Sequence, residues 1–214
     1  MKDSILDYRK NKQLYFFLYL LLTFHLIGIA LFLYPNRPEN LSGFNILLCA
    51  MLVFWSAVDR KKELQGLIGI IIGGFAVEVI GVNTGLLFGT YEYGSELGLK
   101  AYGVPLVLGL NWYCVVISAV CVVQYWMDKR PLIVKALLVG LLSVGLDYLI
   151  EPVAIRFDFW SWEGGLIPLF NYVCWGVFAS IFAFFYMRQN QAFNPVGFAL
   201  YFVWFGFFLI LNLF

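Results

Sequence analysis

Charge is scarce in this chain. Asp, Glu, Lys and Arg make up 13% of its 214 residues, against roughly 25% in soluble domains, so an ordinary water-soluble globule is excluded. The net charge is only +1, which leaves no electrostatic footprint for nucleic acid or for a strongly acidic partner. Histidine occurs once, at His25, and reads as a satisfied core or interface residue. Cys49, Cys114, Cys121 and Cys174 include no CxxC pair, so neither a metal site nor a disulfide framework is indicated. No phosphate loop, dinucleotide fingerprint or metalloprotease motif occurs.

Apolar residues fill the space that charge leaves. They account for 62% of the chain, with 22 Phe, 13 Tyr and 7 Trp among them. Phe and Leu suit lipid-facing positions, and Trp and Tyr suit the headgroup level. The apolar runs divide into seven candidate spans at 13–34, 41–58, 64–82, 104–127, 131–151, 167–187 and 195–213. Each has about the 17 to 25 residues that a helix needs to cross the bilayer. The breaks are polar or proline-bearing: Pro35 to Pro38, Asp59 to Glu63, Asp128 to Pro131 and Arg188 to Gln191. The first span is too long for the apolar region of a signal peptide and reads as a retained anchor. The expected fold is therefore all-α, a polytopic transmembrane bundle of about seven helices. Residues 1–214 would form one integral membrane domain, in a bacterial or archaeal cell membrane.

Basic residues orient the bundle. One side holds Lys2, Arg9, Lys10, Lys12, Arg60, Lys61, Lys62, Lys129, Arg130, Lys135 and Arg188, and the other only Arg37, Lys100 and Arg156. The positive-inside rule then places the N-terminus in the cytoplasm and the C-terminus outside. Two long connections, 83–103 and 152–166, fall on the outer side. They carry Tyr91, Tyr93, Tyr102, Trp160 and Trp162, and would cover a polar core site as a lid or as interfacial anchors.

Three carboxyls mark that core. Glu78, Asp147 and Glu151 lie in or at the end of apolar spans, where a mid-bilayer carboxylate costs roughly 2.5 to 3.5 kcal/mol on insertion scales. Glu78 is about 14 residues into its span, or about 21 Å at 1.5 Å per residue. Asp147 reaches nearly the same height, and Glu151, four residues on, shares its helix face. Asn111 and Asn171 approach the same level from the opposite direction. Pro152 disfavours helical geometry at Glu151, which is expected at a kink or helix end. The plainer alternative is that these groups serve as interhelical glue. Asn111, Cys114, Ser118 and Cys121 form an inward stripe, and small-residue packing best explains its Cys and Ser members, as it does the glycines at Gly69 and Gly73. Arg156 and Asp158 read as a surface ion pair.

Local strings now carry a resemblance. Glu78-Val-Ile-Gly-Val-Asn-Thr-Gly85 with Phe88-Gly-Thr-Tyr-Glu-Tyr93, Gly103-Val-Pro105 with Asn111-Trp112, Asp147-Tyr-Leu-Ile-Glu-Pro-Val-Ala154 with Trp160-Ser-Trp162, and Pro168-Leu-Phe-Asn-Tyr172 with Trp175 follow in order. Over about residues 74–176 the chain resembles the membrane-embedded carotenoid biosynthesis family of acyclic carotenoid 1,2-hydratases. The resemblance implies water addition, without a cofactor, to the terminal C1=C2 bond of a ψ end group on a long apolar polyene, within a lipid bilayer. A complex with other carotenoid enzymes is left open. Such chemistry needs an acid to protonate the alkene and a base to orient water. Asp147 is assigned as the acid and Glu151 as the water-orienting base, with Glu78 completing the group or exchanging roles. Asn111 and Asn171 would hold water or orient carboxyls, and Trp112, Trp175, Tyr91 and Tyr93 would line the end-group pocket. A lycopene cyclase-type isomerase would use the same protonation without capturing water. A proton-coupled transporter would need polar groups in the inner halves of the helices, where few occur. A retinal photoreceptor would need a core lysine, and the last span has none.

Overall fold

Seven helices run through the described residues, 12–34 and 41–214, of the computed structural model. They are α1 (Lys12–Phe32), α2 (Leu41–Ser56), α3 (Arg60–Thr84), α4 (Leu108–Met127), α5 (Leu132–Arg156), α6 (Leu169–Gln189) and α7 (Pro195–Leu213). Six are long and apolar enough to cross a membrane; α2, with 16 residues, is shorter. The chain is an integral membrane protein built as an all-α bundle. Lys2, Arg9, Lys10, Pro35, Arg37 and Pro38 lie outside the described residues.

The expected spans fall on these helices with small shifts at their ends. The largest are at α3, which begins at Arg60 rather than 64, at α4, which begins at Leu108 rather than 104, and at α5, which continues to Arg156 rather than stopping at 151. Asp59 explains the first: its side chain accepts the backbone N–H of Lys62 and caps the helix. The same bond holds the Asp59 carboxyl below its ordinary range. Pro152 sits inside α5, so Glu151 is not at a helix end. A proline removes one backbone donor. The turn beyond it still closes, because the N–H groups of Phe157 and Phe159 reach the carbonyls of Val153 and Ala154.

Helix α4 is the axis of the bundle. Every residue from Trp112 to Gln124 is buried, and α2, α3, α5, α6 and α7 all pack against it. A helix apolar on all sides suits such an enclosed position as well as it suits lipid. The expected inward stripe through Cys114, Ser118 and Cys121 is thus one part of a wholly enclosed surface. Helix α1 is the opposite case, burying only Leu14, Leu21 and His25 against α7 and α2. His25 contacts the carbonyl of Leu21 through Nδ1, while its Nε2 accepts from Trp204 at 3.0 Å. Gly73 meets the ring of Phe182, whereas Gly69 faces open space, so only one of that pair serves close packing.

Short strands gather the two long connections at one end of the bundle. They are β1 (Tyr91–Tyr93), β2 (Lys100–Ala101), β3 (Val104–Pro105) and β4 (Trp160–Trp162). β1 pairs antiparallel with β4, placing Tyr91 opposite Trp162 and Tyr93 opposite Trp160. β2 pairs with β3 within the first connection. Asp158 does not pair with Arg156 as expected. It accepts the backbone N–H and hydroxyl of Ser95, while Arg156 donates to the carbonyl of Leu211. Asp158 thus ties the two connections to each other, and Arg156 ties α5 to α7.

Candidate active site

Glu78 lies six residues before the end of α3 and is 3% exposed. Its Oε2 accepts the hydroxyls of Tyr91 and Tyr93, each at 2.6 Å, and its Oε1 accepts Trp112 Nε1 at 2.9 Å. Both tyrosines come from β1, where alternate side chains share a face, so Tyr91 and Tyr93 turn inward and Glu92 outward. Burial, and then the Glu78 charge beside them, push both phenols well above their ordinary range. They stay protonated and serve as donors. Gly74, one turn before Glu78, gives Trp112 its position: a Cβ there would lie 2.5 Å from the indole.

Asp147 and Glu151 stand one turn apart on α5, and both are buried. The amide nitrogen of Asn171, from α6, bridges them, donating to Asp147 Oδ2 and to Glu151 Oε1 at 2.9 Å each. Glu151 Oε2 accepts both indole N–H groups of β4, from Trp160 and Trp162, again at 2.9 Å each. Glu78 and Glu151 thus accept three hydrogen bonds apiece, and Asp147 accepts one. The donors are almost all ring N–H or O–H groups.

The two halves meet at a cavity of about 20 Å³, lined by Glu78, Glu151, Asn171, Tyr91, Tyr93 and Trp162 among others. A site of that size holds about one water molecule. Trp112 stacks on Trp175 beside it, with ring centroids 3.8 Å apart and planes 11° from parallel. Tyr91 and Trp162 lie 5.0 Å apart across the β1–β4 pair. The halves also share a plan. In α3–β1–α4 and in α5–β4–α6, a helix supplies carboxyl, the strand supplies two ring donors, and the next helix supplies a third donor.

Eight of the nine residues singled out from the sequence come together here. Tyr91 and Tyr93 hold a carboxyl as well as forming walls, whereas Trp112 holds a carboxyl without lining the cavity. Asn111 is the exception. It lines a different, larger cavity, because neighbouring residues on a helix diverge by about 100° and Trp112 already faces Glu78. The sequence reading also omitted Trp160 and Trp162 as carboxyl partners. The signal was the alternation in Tyr91-Glu92-Tyr93 and Trp160-Ser161-Trp162, which puts like rings on one strand face. No group of three or more His, Cys, Asp or Glu among the described residues is arranged to hold a metal ion.

Helix bundle and site together define an integral membrane protein with a buried carboxyl centre capped by aromatic strands. Residues 41–214 match the family described as carotenoid biosynthesis protein, and the chain belongs to that family. It is similar to the bisanhydrobacterioruberin hydratase of Haloarcula japonica, with 29% identity over 125 residues. That match covers 57% of this chain and only 41% of the relative. No solved structure matches the chain.

Proposed function

We propose that the protein is a carotenoid hydratase that adds water across the terminal C1=C2 bond of an acyclic end group. The observation that carries this reading is a cavity with room for one water, bordered by two carboxyls and connected through Asn171 to a third. The relative's name supports hydration as the reaction type.

Asp147 delivers its proton to C2, the less substituted carbon, and the positive charge settles on tertiary C1. Asp147 suits the acid's role because it accepts one hydrogen bond where each glutamate accepts three. Fewer donors leave a carboxyl oxygen available to carry the O–H that is given up. The faces of Trp162 and Tyr91 stabilise the cation through their ring quadrupoles. Water held against Glu151 attacks C1, and its proton passes to that carboxylate. Asp147 regains a proton from Glu151 across the site, so the net change is one water added. The carboxyls act as a coupled group, and their proton is shared rather than owned by one member.

A cyclase would require the cation to lose a proton after ring closure, and a water-sized space beside the carboxyls favours capture instead. We also infer one membrane domain over 1–214, with the β1–β4 end outside, from the excess of Lys and Arg at the opposite end. Product analysis in a host that accumulates acyclic carotenoids tests the reaction. A pigment heavier by one water is expected; an isomer of unchanged mass would replace hydration with cyclisation.

A further inference from the structure

A cavity of about 250 Å³ lies beside the carboxyl centre, where α1, α2, α4 and α7 face one another. Its walls include Gly28 and Leu31 of α1, Phe44 and Ile46 of α2, and Phe207 of α7. Leu108 and Trp160 line this cavity and also the water-sized one at Glu78 and Glu151, so they form the partition between the two. On the far side the walls run out to the bundle surface. Phe24, Ile27 and Phe44 belong to the lining and are 37%, 50% and 57% exposed. In a membrane that opening faces lipid. Asn45 and Asn111 also stand in the walls. Asn45 Nδ2 lies 3.3 Å from His25 Nε2, but its buried Oδ1 has no partner among the described residues. A buried acceptor without a partner marks a place for a guest's hydroxyl or a water.

We propose that this cavity binds the chain of the substrate. A long acyclic isoprenoid enters sideways from the bilayer between α1 and α2 and lies along Leu31, Ile46 and Phe207. It presents its terminal double bond past Leu108 and Trp160 to the carboxyls. The volume fits part of such a molecule, being below the roughly 300 to 1,000 Å³ that encloses a whole drug-sized ligand. The remaining chain stays in lipid. Asn111, which does not join the carboxyls, gains a role here as a wall of the chain site. The chemistry at the end group rests on the hydratase reading, whereas the fit of the chain does not.

Ile46→Trp and Leu31→Trp fill the cavity from opposite walls without touching a carboxyl. Each is assayed in proteoliposomes with a long acyclic polyene and with a short acyclic isoprenoid that carries the same terminal double bond. Polyene retained on purified Asp147→Asn protein, with and without Ile46→Trp, is read by its visible absorption. Turnover of the long substrate is expected to fall about tenfold or more in both variants, while the short one stays within about threefold. Retained pigment should be lost when Ile46→Trp is added. Unchanged turnover of the long substrate, equal loss of both substrates, or pigment retained despite the tryptophan would overturn the proposal. If wild-type protein hydrates neither substrate yet holds pigment that the tryptophans release, the hydratase reading falls and the chain site stands.

Discussion

Helix α3 carries two buried glutamates, and the contrast between them separates a carboxyl closed in by its donors from one that borders a cavity. Glu63, near its start, is 1% exposed and accepts from Tyr113, Tyr186 and Asn190. Glu78, near its end, is 3% exposed and accepts from Tyr91, Tyr93 and Trp112. Burial, donor number and donor chemistry are nearly the same. Around Glu63 the network closes on itself, since the Asn190 amide also donates to the Tyr186 hydroxyl. Its effect is to tie α3 to α4 and α6. Glu78 instead borders a water-sized space that it shares with a second carboxyl. Burial and donor number therefore do not distinguish the two; a neighbouring acid and an adjoining space do.

The strongest test of this contrast sets Asp147→Asn beside Glu63→Gln at matched protein levels. Loss of the acid is expected to lower hydrated product on the order of 10³-fold. The Glu63 variant should keep its product within about threefold per folded molecule. Equal losses, with both proteins folded, would erase the distinction. Next comes Trp162→Phe, which removes one of the three donors to Glu151. A hydrogen bond to a charged group contributes about 1.5 to 3 kcal/mol, so turnover should fall roughly 10- to 100-fold. A wild-type rate would show that the β4 donors position nothing.

Stability sharpens the other side of the comparison. Glu63→Gln leaves ring hydroxyls imperfectly paired in a buried site, at a cost of about 1 to 3 kcal/mol. The thermal midpoint in detergent should drop by several degrees, at roughly 2 to 4 °C per kcal/mol for a chain of this size. An unshifted midpoint would mean that the closed network holds nothing together. The smallest effect is expected from Tyr113→Phe, which removes a single donor for about 1 kcal/mol. Its midpoint should fall by a few degrees at most. A larger shift than in Glu63→Gln would reverse the order argued from the carboxyl.

Much of this was legible before any coordinates. Long apolar runs and their polar breaks located the helices, because a membrane tolerates little else. Glu78, Asp147, Glu151 and Asn171 stood out because polar groups are costly in such runs. Glu63 did not, since it follows Lys61 and Lys62 and read as part of a charged turn. Its burial depends on Tyr113 and Tyr186, partners 50 and 123 residues away. Trp160 and Trp162 were hidden for another reason: their alternation spans only three residues, and the carboxyl they reach lies on the preceding helix. The role of β4 emerges only from its pairing with β1, a contact that spans two connections.

That pairing has a consequence for where the site lies. Each helix–strand–helix half brings its own acid and its own ring donors, but the water space lies on the seam between them. The water-sized space exists only because two similar pieces, each satisfied within itself, are pressed face to face.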